Sequence, residues 1–288
     1  APSFAEAETP PPPPPPVYYP PVVAAGARDS AAMSSVISGA IGLALGWGAT
    51  RSSTSNLEEV VVWTALFGAT LRYATPLVFA SIGGMFSERS GVVNIGLEGM
   101  MLTGAFFGIW GADKTGSWAL GLLIAIFAGG AMALIHAFFA IHLRADQIIG
   151  GTAINFLALG ISGYLFIDVY GQEGTPSDIS AIPNISLGPL KDVPFFGDIF
   201  GELNLMIWLA IALVFVSWVV MFKTSIGLRL RSVGEHPRAA DTVGINVCRT
   251  RYAAVVLSGM LAAMGGAYLS IGFLGSFNEN MTAGRGFI

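Results

Sequence analysis

Glu98 is the residue of this sequence that most needs an explanation, because it is a carboxylate set in the run Asn94-Ile-Gly-Leu-Glu98-Gly-Met-Met101 within a long apolar stretch. A charge inside an apolar span costs about 2.5–3.5 kcal/mol on insertion scales, so it must face a polar partner or a cavity. Asn94 stands four residues earlier, which on a continuous helix puts both side chains on one face. Gly91, Gly96 and Gly99 allow close approach or local unwinding around them. Two readings of Glu98 are open: a place on a solute pathway, or a structural pair with Arg72, Arg89 or a polar group of another helix. Gln147, Thr152 and Asn155 form a second polar patch, whose amides and hydroxyl suit a small polar solute and equally suit hydrogen bonds between helices in lipid.

The other reactive residue types do not assemble into a site. His136 and His142 are six apart and fall on different helix faces, and the single cysteine, Cys248, allows neither an internal disulfide nor a thiolate cluster, so no metal centre is expected. Ser87 and Ser90 have no H-E-x-x-H or G-x-S-x-G context, so no catalytic residue is assigned. Without a G-x-x-x-x-G-K-[ST] loop, any ATP that drives this protein binds another subunit. A net charge of −4, with the basic residues clustered in short loops, gives no surface for nucleic acid.

These residues must be positioned in a chain that is 53% hydrophobic and 11% charged, against about 25% charged in soluble domains. Apolar stretches at residues 60–86, 92–110, 118–141, 148–167, 203–222 and 253–273 each approach the ~20 residues that cross a bilayer as a helix. The fold expected is all-α: a polytopic transmembrane helical bundle over residues 58–288. Residues 33–57 hold a further, less apolar stretch whose status as a first span is open, and residues 1–32, with the run Pro10 to Pro16, read as a disordered polyproline tail. Pro76 lies inside the first strong stretch, where Thr75 or a neighbouring helix can satisfy the carbonyl it frees in a kinked helix.

Loop charges orient the bundle. Residues 223–251 hold six Lys or Arg, whereas 168–202 hold Lys191 against six acids, so the first loop belongs in the cytoplasm and the second outside. Counting back places the joints at 87–90 and 141–144 inside and the joint at 113–116 outside. Within the basic loop, His236-Pro237 can begin a helix, Ala239-Ala240 are small helix formers, and Gly244 can end it. A short cytoplasmic helix of this kind suits the docking of a soluble protein; an ordinary basic loop serving topology alone is the other reading.

The segment Glu235-His-Pro-Arg238-Ala239-Ala240-Asp-Thr-Val-Gly244 resembles the E-A-A-x-x-x-G coupling segment of ABC importer permeases, in the form used by the branched-chain amino-acid and simple-sugar permease superfamily. Glu235 is displaced from the alanine pair, so Ala239, Ala240 and Gly244 match better than Glu235. The stretches 87–101, 143–155 and 278–288 are similar, in the same order, to the nucleoside-type (simple-sugar) permeases of that superfamily. The resemblance covers about residues 58–288. Permeases of this kind continue with further spans, so the chain looks truncated after Ile288 and is not expected to transport alone.

What the resemblance implies is a multi-pass permease subunit of the cell inner (plasma) membrane, translocating nucleosides or related small polar solutes by alternating access. It implies no cofactor on this chain and ATP on partner ATPase subunits, together with a second, related permease subunit and an extracytoplasmic solute-binding protein, all acting at the lipid bilayer. Asn94, Glu98, Gln147, Thr152 and Asn155 become the substrate-pathway candidates, offering hydrogen bonds to ribose hydroxyls or a base edge. Glu235, Arg238, Ala239, Ala240 and Gly244 become the ATPase-coupling candidates. Phe106, Phe107, Phe138, Phe139 and Phe156 either stack on a base or pack towards lipid. The alternatives are a permease of the same superfamily for branched-chain amino acids or sugars, and an ion-coupled secondary carrier using Glu98.

Overall fold

Each of the six strong apolar stretches carries a helix. The computed structural model describes residues 59–171, 174–175, 178–186 and 199–287, so the expected proline-rich tail and the open span at 33–57 lie outside the described residues. The chain divides into two units, Ala1–Glu59 and Val60–Ile288, and the second carries the bundle. The long helices are α1 (Glu59–Arg89), α2 (Leu97–Thr115), α3 (Trp118–Ala137), α4 (Gln147–Tyr170), α5 (Leu205–Lys223) and α8 (Val247–Ala267). Two short helices, α6 (Ser225–Glu235) and α7 (Pro237–Thr242), fill the basic loop between α5 and α8. α3 and α8 widen at their ends into π turns, Phe138–His142 and Tyr268–Leu274.

Among the described residues five helices, α1, α3, α4, α5 and α8, are long and apolar enough to cross a membrane, one fewer than the six strong stretches read from the sequence. α2 is the exception because its 19 residues include Glu98, Asp113 and Lys114. Most of α2 is nevertheless buried, packed among α3, α4 and α8, so its surroundings are protein. Small residues make that packing close. A side chain at Gly266 of α8 would run into the carbonyl oxygen of Met101 on α2, and one at Gly259 would meet the carbonyl of Gly129 on α3. Backbones that approach this closely gain van der Waals contact, which is what joins helices in lipid.

α1 is continuous through Pro76. Proline removes the N–H that would bond the carbonyl of Arg72, and the hydroxyl of Tyr268 at the far end of α8 donates to that oxygen instead, at 3.3 Å. Thr75 does not fill this role; its hydroxyl bonds the carbonyl of Leu71 at 2.7 Å.

The joints sort into two ends as the loop charges require. At one end Arg251 Nε donates to the carbonyl of Ser90 at 3.1 Å, and His142 Nδ1 lies 2.9 Å from the hydroxyl of Tyr252, so the joints after α1 and α3 meet the basic loop. At the other end Tyr170 donates to Asp113 Oδ2 at 3.2 Å. A small antiparallel hairpin also forms in the acidic loop, β1 (Asn184–Ser186) against β2 (Glu202–Asn204) with Ile185 opposite Leu203, a detail the all-α expectation did not contain. Asn204 ties it down by donating to the carbonyls of Ile182 (3.1 Å) and Gly272 (3.2 Å).

Candidate functional site

The stretch read as one span from 92 to 110 is broken. α1 ends at Arg89, Gly91 takes φ +84°, residues 92–96 are not helical, and α2 starts only at Leu97. Asn94 and Glu98 therefore do not share a helix face, and the local unwinding that the glycines allow is what occurs. Non-helical backbone buried in a bundle must find hydrogen-bond partners outside itself.

Side chains from several elements supply them. Ser87 Oγ donates to the carbonyl of Val92 at 2.8 Å. Gln147 Oε1 accepts from Val93 N at 2.8 Å, and His136 Nε2 lies 3.3 Å from the carbonyl of Val93, which places the ring proton on Nε2. Asn94 Oδ1 accepts from Gly96 N at 3.1 Å while its Nδ2 donates to Ser258 on α8 at 2.8 Å. Asn155 Nδ2 donates to the carbonyl of Ile95 at 3.1 Å, and its Oδ1 accepts from Gly99 N at 2.8 Å. Gly99 N is one of the first-turn donors that α2 leaves open, and Gly96 in the N-cap position has no side chain to fill it. Asn155 thus caps α2 from another helix.

Glu98 sits in the first turn of α2, 7% exposed. Its Oε1 accepts from Thr282 Oγ1 at 2.6 Å and from Gly284 N at 2.8 Å, and its Oε2 accepts from Gly286 N at 2.5 Å. The segment around Thr282 is a second run of non-helical turns, with Asn280, Ala283 and Gly284 at positive φ, and it reaches Glu98 because Gly286 lies directly on the α2 backbone. The carboxylate is held by short charge-assisted bonds at the positive end of a helix dipole. Neither Arg72 nor Arg89 is its partner; the ion pair found among the described residues is Lys114–Asp113, at 3.3 Å.

Four of the five pathway candidates, Asn94, Glu98, Gln147 and Asn155, therefore converge on the start of α2. Thr152 does not: it is exposed and bonds the carbonyl of Ile148 in its own helix at 2.9 Å. His136, Ser258, Thr282 and the amides of Gly284 and Gly286 belong to the same cluster and were not singled out for it. A lone histidine and a lone serine inside apolar stretches were the available signals for the first two. For the third, the stretch 278–288 carried a resemblance without a role.

At the basic end, α7 follows the expected pattern, with Pro237 in its first turn and Gly244 beyond its end at φ +83°. Its alanines split. Ala239 is exposed beside Glu235, Arg238 and a 74% exposed Val243, whereas Ala240 is 3% exposed and faces the body of the protein. A cavity of 540 Å³ lies under α7, lined by Pro237, Arg238 and Asp241 on one side and by Val92, Gln147 and Arg251 on the other. α7 and the broken segment therefore share a wall. Among the described residues no group of His, Cys, Asp and Glu is placed to hold a metal ion.

A helical bundle with two non-helical stretches meeting deep inside it, joined through one cavity to an exposed helix at its basic end, has the architecture of a membrane transport protein. The family model described as branched-chain amino acid transport system / permease component matches residues 66–288, and the chain belongs to that family. It is a multi-pass inner-membrane permease of the ABC importer type, a transport component and not an enzyme. It is 44% identical over 239 residues, 81% of this chain and 75% of the relative, to the guanosine ABC transporter permease protein NupQ of Bacillus subtilis. To the nucleoside ABC transporter permease protein NupC of Lactococcus lactis it is 43% identical, over 76% of this chain and 71% of that one. To a putative glucose ABC transporter permease protein of Haloferax volcanii it is 36% identical, over 77% of this chain and 68% of that one. No solved structure matches the chain.

Proposed function

We propose that this permease moves nucleosides or closely related small polar solutes into the cell, and that its basic end, residues 223–251, is cytoplasmic and docks the ATPase. The observation that carries the solute is the similarity to two permeases named for guanosine and nucleosides. A second guanosine permease protein of Bacillus subtilis, NupP, is 24% identical over 73% of this chain, which supports a related second permease subunit as partner. Two ATPase subunits, which bind the ATP, and an external solute-binding protein complete the assembly.

In the mechanism we infer, ATP-driven closure of the ATPase pair moves α7, and the movement reaches the broken segment through the cavity that both line. The amide oxygens of Asn94, Gln147 and Asn155 and the Nδ2 of Asn155 are spent on the backbone of 93–99, and the Nδ2 of Asn94 on Ser258, in the state described above. In the opposite state they pass to the hydroxyls and base edge of the solute. That exchange keeps the three side chains paired in both states, and the backbone of 93–99 that they release must then pair within itself, as it would in a helix continued back from Leu97, which is what lets two conformations lie close in energy.

The test is uptake by the full transporter, reconstituted with its ATPase, second permease and binding protein in proteoliposomes. Guanosine and other nucleosides should stimulate ATP hydrolysis and compete with one another for uptake, and glucose should do neither. Competition by glucose alone transfers the assignment to a sugar; uptake abolished by an ionophore with ATP still present discards ATP-driven transport.

A further inference from the structure

Between α5, α6 and α8 runs a groove of 660 Å³ that belongs neither to the broken segment nor to the cavity under α7. Its walls are apolar: Val216 and Val220 from α5, Ala253, Leu257 and Leu261 from α8, and Phe86 from α1. Two of its polar side chains are already satisfied, Ser217 on the carbonyl of Val214 at 2.9 Å and Thr250 on the carbonyl of Asn246 at 2.9 Å. That leaves Arg229 of α6 and Arg249 in the first turn of α8, both exposed, and among the described residues neither forms an ion pair. The groove is therefore an apolar slot with two unspent guanidiniums at its mouth.

Its length fits one leaflet. Arg249 to Leu261 spans about 18 Å at 1.5 Å per helical residue, and half of a ~30 Å hydrocarbon core is about 15 Å. Its level in the bilayer is marked by neighbours at the same end, where Lys223 lies 5.6 Å from the ring of Trp218 and Arg231 5.4 Å from that of Phe222, as cationic side chains do where they reach back to the headgroups. The exposed apolar residues Ile226 (66%) and Leu228 (62%) lie on α6 between Lys223 and Arg229, so α6 is suited to the interface itself.

We infer that this groove is a binding site for an anionic phospholipid, its headgroup phosphate held between Arg229 and Arg249 and one acyl chain lying along α5 and α8. Arginine forks match phosphate oxygens bidentately, which gives the site a preference for a charged headgroup over a zwitterionic one that carries its own cation.

The full transporter is reconstituted in vesicles of mixed phosphatidylglycerol and phosphatidylcholine, with one lipid at a time carrying a photoactivatable acyl chain, and labelled peptides are mapped. The expected result is labelling of the α5 and α8 peptides that favours phosphatidylglycerol by at least about fivefold, and a further drop of about fivefold for Arg229→Gln and for Arg249→Gln, the factor one basic residue contributes beside an anionic leaflet. Equal labelling by the two lipids overturns the headgroup site. Absence of label from these peptides, with crosslinks to a partner subunit or to another segment of the chain in its place, overturns the lipid altogether. Should either variant fail to assemble, the comparison of the two lipids on the unaltered protein decides.

Discussion

Asn155 answers two backbone groups that α2 cannot answer for itself, the carbonyl of Ile95 and the amide of Gly99. Asn155→Ala leaves both unsatisfied at a cost of about 1–3 kcal/mol each, so the thermal midpoint of the purified protein should fall clearly. Thr152→Ala, three residues away on the same helix, should stay within about 0.5 kcal/mol of the unaltered protein. Glu98→Gln keeps the shape of the side chain but sets an NH2 group against one of the three donors around it, a loss of about 1.5–3 kcal/mol. Because those donors come from Thr282, Gly284 and Gly286, the loss is structural. Uptake of every solute should fall together with KM held within about twofold, and a large solute-dependent change in KM would instead make Glu98 a solute contact. The need for a partner was legible in the sequence, since a carboxylate in an apolar stretch cannot stand alone. Its identity was not, because Thr282 lies 184 residues away and nothing in the local pattern points to it.

At the scale of elements, the helices and the ends to which their joints belong were readable from apolar runs and loop charges. The break at 92–96 was readable only as one of two options that the glycines left open, because Val92, Val93 and Ile95 are as apolar as the helix that follows and the partners of their backbone come from other elements. α7 was readable as a helix from Pro237 and Gly244, but not the opposite environments of its two alanines, which depend on how the helix sits against the bundle. Ala240→Trp forces a large ring into a buried position and should cost about 1–3 kcal/mol, read as a lower thermal midpoint. Ala239→Trp should leave that midpoint unchanged while abolishing most solute-stimulated uptake, because it blocks the exposed face of α7. Uptake that survives Ala239→Trp in a stably assembled transporter removes α7 from coupling.

The whole molecule has a basic end and an acidic end, and Cys248, exposed near the start of α8 and the single cysteine of the chain, reports on the first. A membrane-impermeant maleimide should label it in inverted vesicles and not in intact cells, whereas a cysteine placed at Gly116, with Cys248 replaced by Ser, should show the reverse. Labelling of both from one side would overturn the orientation drawn from loop charge. The start of α2 also constrains how the protein is made. Val93 waits 54 residues for Gln147, Ile95 waits 60 for Asn155, and Asn94 waits 164 for Ser258. At roughly 5–20 residues per second of synthesis, the 184 residues between Glu98 and Thr282 take about 10–40 s. Until α4 is made the backbone of 92–96, and throughout the longer interval the Glu98 carboxylate, cannot be released into lipid, so α2 must stay beside water or the insertion machinery while later helices are threaded past it. The helix at the centre of the finished bundle is therefore among the last to settle, and the ribosome's pace through α4 and α8 sets how long the nascent chain is vulnerable to quality-control proteases.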